Sequence, residues 1–144
     1  MKKTSKIDLL NALVQMHCRS LPMYLASAAP WTTSEQTVGR ALLQSIIADQ
    51  GEIVDKFADV ILQRDGIVER GAFPTEFTDL HDLSLDYLMH EMAEKQATNV
   101  KAIERATELL AGDDDALELC QRTLGVAKAH LDSLNEYVRD HSSP

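Results

Sequence analysis

Five residues carry side chains suited to acid-base or metal chemistry: His17, Asp49, Glu52, Glu94 and His130. Imidazoles and carboxylates together suit zinc, iron or manganese. Such chemistry needs the groups at one level of a helical scaffold. At ~1.5 Å per residue, His17 lies about a dozen residues before a first corner and Asp49 about fifteen after it, so their heights agree to roughly one turn. Glu94 and His130 each lie about eighteen residues from a second corner. If the chain between the second and third helices returns to its starting end, all five share a mid-molecule layer. Asp49 is the sharpest signal, because it interrupts an apolar stripe and aspartate is seldom buried unpaired. A hydrogen bond or salt bridge to His17 would satisfy it without metal, and both readings are open. Glu52 and Glu94 fall beside their stripes, where a solvated face is the alternative. Gln96 and Asn99 can extend the layer by hydrogen bonding.

The elements that must position these residues follow from hydrophobic periodicity. The spacing predicts helices over about 5–28, 34–64, 78–111 and 113–140. In the first, Leu10, Val14, His17, Leu21 and Tyr24 share a face, Ser5 and Asp8 have the spacing of a capping pair, and Pro22 should kink or split the helix. Residues 29–32 form a short connection, and Thr33 with Gln36 marks the next start. The second helix has one apolar face of Leu42, Ile46, Ile53, Phe57 and Val60, and another of Leu43, Ile47, Val54 and Ile61. Two such faces exceed one core contact, so the second is an expected interface for a homodimer or higher homo-oligomer. Thr78 is the expected cap of the third helix. Gly112 is expected in the left-handed position that ends it, with Asp113 capping the fourth.

The chain has 144 residues, 44% hydrophobic and 26% charged, which fits one domain with one core. No apolar run is long enough to span a bilayer, and no apolar signal core follows Lys2, Lys3 and Lys6, so the expectation is a cytoplasmic protein without a membrane partner. The net charge of −9 argues against a nucleic-acid partner. Cys18 and Cys120 sit among apolar residues and are expected as free thiols. No phosphate loop, nucleotide fingerprint or nucleophile elbow is present.

The connections run short, long, short. The stretch from Asp65 to Phe77 could cover roughly 40 Å when extended, against ~45 Å for a helix of about 30 residues. A chain with one long crossover needs such a loop. On helix lengths, loop order and mid-helix polar residues, the sequence from Asn11 to Tyr137 resembles the ferritin-like four-helix superfamily, which includes ferritins, rubrerythrins and Dps-like proteins. The resemblance implies an all-α, antiparallel four-helix bundle with one long crossover between helices 2 and 3.

Di-iron members of that superfamily carry Glu-x-x-His on two helices and a lone Glu on the others. This chain departs from the pattern. Glu52 stands where His would follow Asp49, Ala127 stands three residues before His130, and the first helix has His17 but no central Glu. The expectation is therefore a metal-free, non-catalytic bundle acting by oligomerisation or partner binding. The alternative is a metal-binding oxidoreductase or storage protein (iron, manganese or zinc) using His17, Asp49, Glu52, Glu94 and His130. A third option, similar to Dps, has the lysine tail touching DNA.

Overall fold

The computed structural model describes residues 5–27, 37–75, 77 and 84–141. The chain is all-α, with helices α1 (Lys6–Cys18), α2 (Leu21–Ser27), α3 (Thr37–Gln63), α4 (Leu85–Leu109) and α5 (Asp114–Asp140). No helix among these residues is long and apolar enough to cross a membrane.

Pro22 does split the expected first helix. Proline has no amide hydrogen, so it suits the first turn of a helix and not its interior. Here it is the second residue of α2, and the Ser20 hydroxyl takes over capping by accepting from the Met23 amide at 3.3 Å. At the start of α1 the expected pair is present, with the Asp8 amide donating to Ser5 Oγ at 3.0 Å. The connection at 29–32 and the start signal Thr33–Gln36 lie outside the described residues.

The end of α3 closes with two paired bonds. The Gly66 amide donates to the Ile61 carbonyl at 2.9 Å and the Asp65 amide to the Leu62 carbonyl at 3.1 Å. Asp65 itself takes the left-handed conformation, φ 57°, a position usually filled by glycine. The next helix is described from Leu85 onward. Its cap is Ser84, whose Oγ accepts from the Tyr87 amide at 3.4 Å, and Asp86 sits in the first turn where the helix dipole favours an acid. Thr78, the expected cap, lies outside the described residues. Gly112 has φ 90°, as expected after α4. Asp113 precedes α5 and makes no capping hydrogen bond of ordinary geometry, although the Ala116 amide helps to favour its charged form. Its carboxylate instead receives both Arg64 Nη atoms, at 2.5 and 2.6 Å, with Lys6 Nζ at 3.6 Å.

The long connection after α3 is held against α1. Asn11 Nδ2 donates to the Ile67 carbonyl at 2.8 Å, and Asn11 Oδ1 accepts from the Glu69 amide at 2.8 Å. Gln15 Nε2 donates to the Glu69 carbonyl at 3.0 Å and Cys18 Sγ to the Arg70 carbonyl at 3.1 Å. Residues 11, 15 and 18 lie on one helix face, so α1 supplies a ladder of polar side chains to a segment with no strand partner.

Two apolar clusters make the core. One gathers Leu10, Val14, Phe57, Ile61, Ile103 and Leu110; the other gathers Leu21, Ile46, Leu85, Leu88, Met92 and Leu134. The second face of α3, expected as an oligomer interface, is used inside the chain. Val54 is 3% exposed, Ile61 is fully buried and Ile47 packs on the second cluster. Burial of those residues removes the reason for placing a homo-oligomer contact there.

Candidate functional site

In each of the three long helices, the boundary between the two clusters falls on a buried polar residue: Gln50 in α3, Gln96 in α4 and His130 in α5. His17 and Ser20 stand at the same boundary between α1 and α2. A polar layer therefore crosses the molecule, and its members are paired, as buried polar groups must be. Ser20 Oγ donates to Gln50 Oε1 at 2.5 Å, and Gln96 Nε2 donates to the Ala127 carbonyl at 3.1 Å.

The five candidate ligands do not converge. His130 Nε2 lies 2.8 Å from Asp49 Oδ2, so the partner of Asp49 is His130 and not His17. His17 turns its Nδ1–H to the Leu13 carbonyl of its own helix, 2.8 Å away. Burial holds the His17 pKa below its ordinary value; the Leu13 hydrogen bond opposes this, and the nearby His130 adds to it. Glu52 is a surface residue paired with Lys56 at 2.9 Å, its side chain 64% exposed. Glu94 is likewise outside, 66% exposed and 3.9 Å from His90 Nδ1. Among the described residues, the one set of three or more His, Cys, Asp or Glu whose ligand atoms lie within 4.8 Å of one another is His90, Glu91 and Glu94, on the outer side of α4. Exposed acidic groups of this kind are ordinary for a chain of charge −9. Both cysteines are free, and burial pushes the Cys120 thiol up to about 11, so it is inert at neutral pH.

The structure places its main opening elsewhere. A cleft of about 540 Å³ lies where α1, α2, α3 and α4 meet the long connection, with residues of the polar layer in its wall. Ser20, Gln50, Gln96 and Asn99 line it beside apolar side chains, and none of His17, Asp49, Glu52, Glu94 or His130 does. Arg19 and Lys95 also line it. Arg19 Nη1 donates to Gln15 Oε1 at 3.3 Å, while its buried Nε has no hydrogen-bond partner among the described residues. Leaving a buried donor unmet costs about 1–3 kcal/mol, more when the group is charged. Lys95 Nζ sits 5.6 Å from the centroid of the Phe77 ring, and Phe77 in turn leans on Tyr24 at 5.6 Å.

Sequence reasoning missed Arg19 and Lys95 because neither interrupts a stripe. The available signal was the Arg19-Ser20 pair directly before the Pro22 break, where a helix end opens space. No protein-family model, curated protein or solved structure significantly matches the chain.

Proposed function

We propose that this chain is a four-helix bundle of ferritin-like connectivity, with α1 and α2 as one arm, that works by binding a small ligand in its cleft. The connectivity is supported by which helix ends meet. Gly39, near the start of α3, lies against Tyr137 at the end of α5 and Leu85 at the start of α4, while Arg64, just past α3, bonds Asp113, just before α5. On that reading α3 runs with α4 and against α5, and the connection held along α1 is the one long crossover.

The observation that carries the binding role is the cleft itself, lined by apolar side chains, amides and the cations Arg19 and Lys95. Its volume lies within the range of about 300–1,000 Å³ usual for small-molecule sites. Among the described residues, the cleft lining holds no Asp, Glu or His that could act as an acid or base. Ala12 is an exposed residue on its wall, so Ala12→Trp should fill the mouth without disturbing the core. The expected result is that eight-carbon probes bind the wild type and not the variant, in calorimetric titrations of protein with unchanged circular dichroism. Equal binding by both proteins would place the site elsewhere and remove the reading.

One observation favours a metal, whether iron, manganese or zinc. In both His17 and His130 one ring nitrogen is fixed by a hydrogen bond, as in ligating histidines, and Asp49 would serve as the orienting carboxylate. The exposed positions of Glu52 and Glu94 do not fit a di-metal centre. Elemental analysis of protein purified without chelators is expected to give less than one metal per chain, unchanged by His17→Ala. One equivalent, lost on that substitution, would displace the binding reading.

A further inference from the structure

We infer that the cleft takes a small organic anion, a carboxylate head on an apolar body. This rests on the binding role proposed above and names its ligand class. The charge of the cleft runs against the charge of the chain. Acidic residues outnumber basic ones by 23 to 14, yet the cleft's described lining holds Arg19 and Lys95 and no Asp, Glu or His. Elsewhere Lys56, Arg64, Arg105 and Arg122 pair with carboxylates, although Arg40, Arg70 and Lys101 have no ion pair among the described residues. Arg19 and Lys95 have no such ion pair among the described residues.

Arg19 is also held in place. Gly71 passes over it with φ 72°, and a Cβ there would stand 2.8 Å from Arg19 Cδ and 3.1 Å from Nη1. The positive φ favours glycine here, and a larger residue would also press on the Arg19 side chain. The connection thus covers the guanidinium stem together with Nε, so a ligand in the cleft would meet the Nη end. A carboxylate accepting from the Nη end of Arg19 would make the charge-assisted, planar contact for which arginine is suited and lysine is not. Lys95, held over Phe77, adds a second positive charge to the wall.

A head group would occupy only part of about 540 Å³. The rest is bounded by Met16, Leu21, Ile46, Phe77, Met92 and Leu134, which suit an alkyl or ring body. The amides of Gln50, Gln96 and Asn99 can then select among bodies carrying a polar substituent.

Octanoate, 1-octanol and octylammonium share a tail and differ in head charge. Calorimetric titration of the full chain with each should give octanoate about tenfold tighter than octanol, with octylammonium weakest, as charge-assisted hydrogen bonds require. Arg19→Gln and Lys95→Gln should each weaken octanoate about fivefold or more and leave octanol unchanged. Lys128→Gln, a surface cation beside Glu104, should change nothing. Lys95→Gln keeps the test alive should Arg19→Gln perturb folding. Octanol binding as tightly as octanoate would overturn the anion inference while the binding role stood. No binding by any of the three would overturn both.

Discussion

Gly39→Val should destabilise the fold by about 1–3 kcal/mol, read as a fall in the urea midpoint at unchanged slope. A Cβ at Gly39 would meet Tyr137 Oη at 2.6 Å, Tyr137 Cζ at 2.8 Å and Leu85 Cδ2 at 3.0 Å. Real Cβ atoms do not approach that closely, so something must move. Tyr137 cannot shift cheaply. It is buried, its hydroxyl donates to Asp86 Oδ1 at 2.6 Å, and its ring stacks on His141 at 3.9 Å. Displacing it breaks a hydrogen bond to an ionised group and opens the junction of α3, α4 and α5 at once. Tyr137→Phe with Gly39→Val separates the two causes. Removing the hydroxyl relieves the closest contact, so the double variant should lose less than the sum of the singles. Additive losses, or a Gly39→Val protein as stable as the wild type, would show that the three helix ends are not packed as described.

The same junction shows what patterning can and cannot convey. The stripes of α3, α4 and α5 were legible because each helix buries one face over many turns, so the 3.6-residue period repeats often enough to be read. Pro22 announced its break because a missing amide is a local fact. The start of α4 was not legible. Its cap, Ser84, is a single position, and no period repeats to mark it. The second face of α3 misled for a related reason: periodicity reports that a face is buried and not what buries it.

The polar layer was half legible. Its level could be counted from helix rise, and the boundary between the two apolar clusters does fall at His17, Gln50, Gln96 and His130. Its pairing could not. Asp49 had two histidines within plausible reach, and the tie is broken by the Leu13 carbonyl, which engages His17 inside its own helix. Asn11 gave no sign of its role, although it anchors the long connection through Ile67 and Glu69. A partner some 56 positions away leaves no local trace. The cleft was invisible for the opposite reason. It is defined by side chains that do not meet, and no periodic pattern encodes an absence.

Asp113 was expected to cap α5 and instead receives Arg64, so its removal should act between helices and not at one helix end. Asp113→Ala should lower stability by about 1.5–3 kcal/mol, the range for hydrogen bonds to charged groups. A lost exposed cap would cost about 1 kcal/mol. The larger figure holds because the Asp113 side chain is 12% exposed and that of Arg64 29%, so water replaces the pair poorly. Arg64→Met with Asp113→Leu should recover much of the loss, since two apolar side chains leave no unpaired charge. The pH dependence carries the same signature. The Arg64 guanidinium holds the Asp113 carboxyl below its ordinary value of 3.8. Between that folded value and 3.8 the unfolded chain binds the proton first, so this stabilisation is present above about 3.8 and fades as pH falls through the folded value. Urea unfolding of wild type and Asp113→Asn from pH 5 down to the acid limit should therefore show a steeper loss for the wild type below about 3.8. Parallel curves, with an Asp113→Ala loss near that of a simple cap, would return Asp113 to the role its sequence position first suggested.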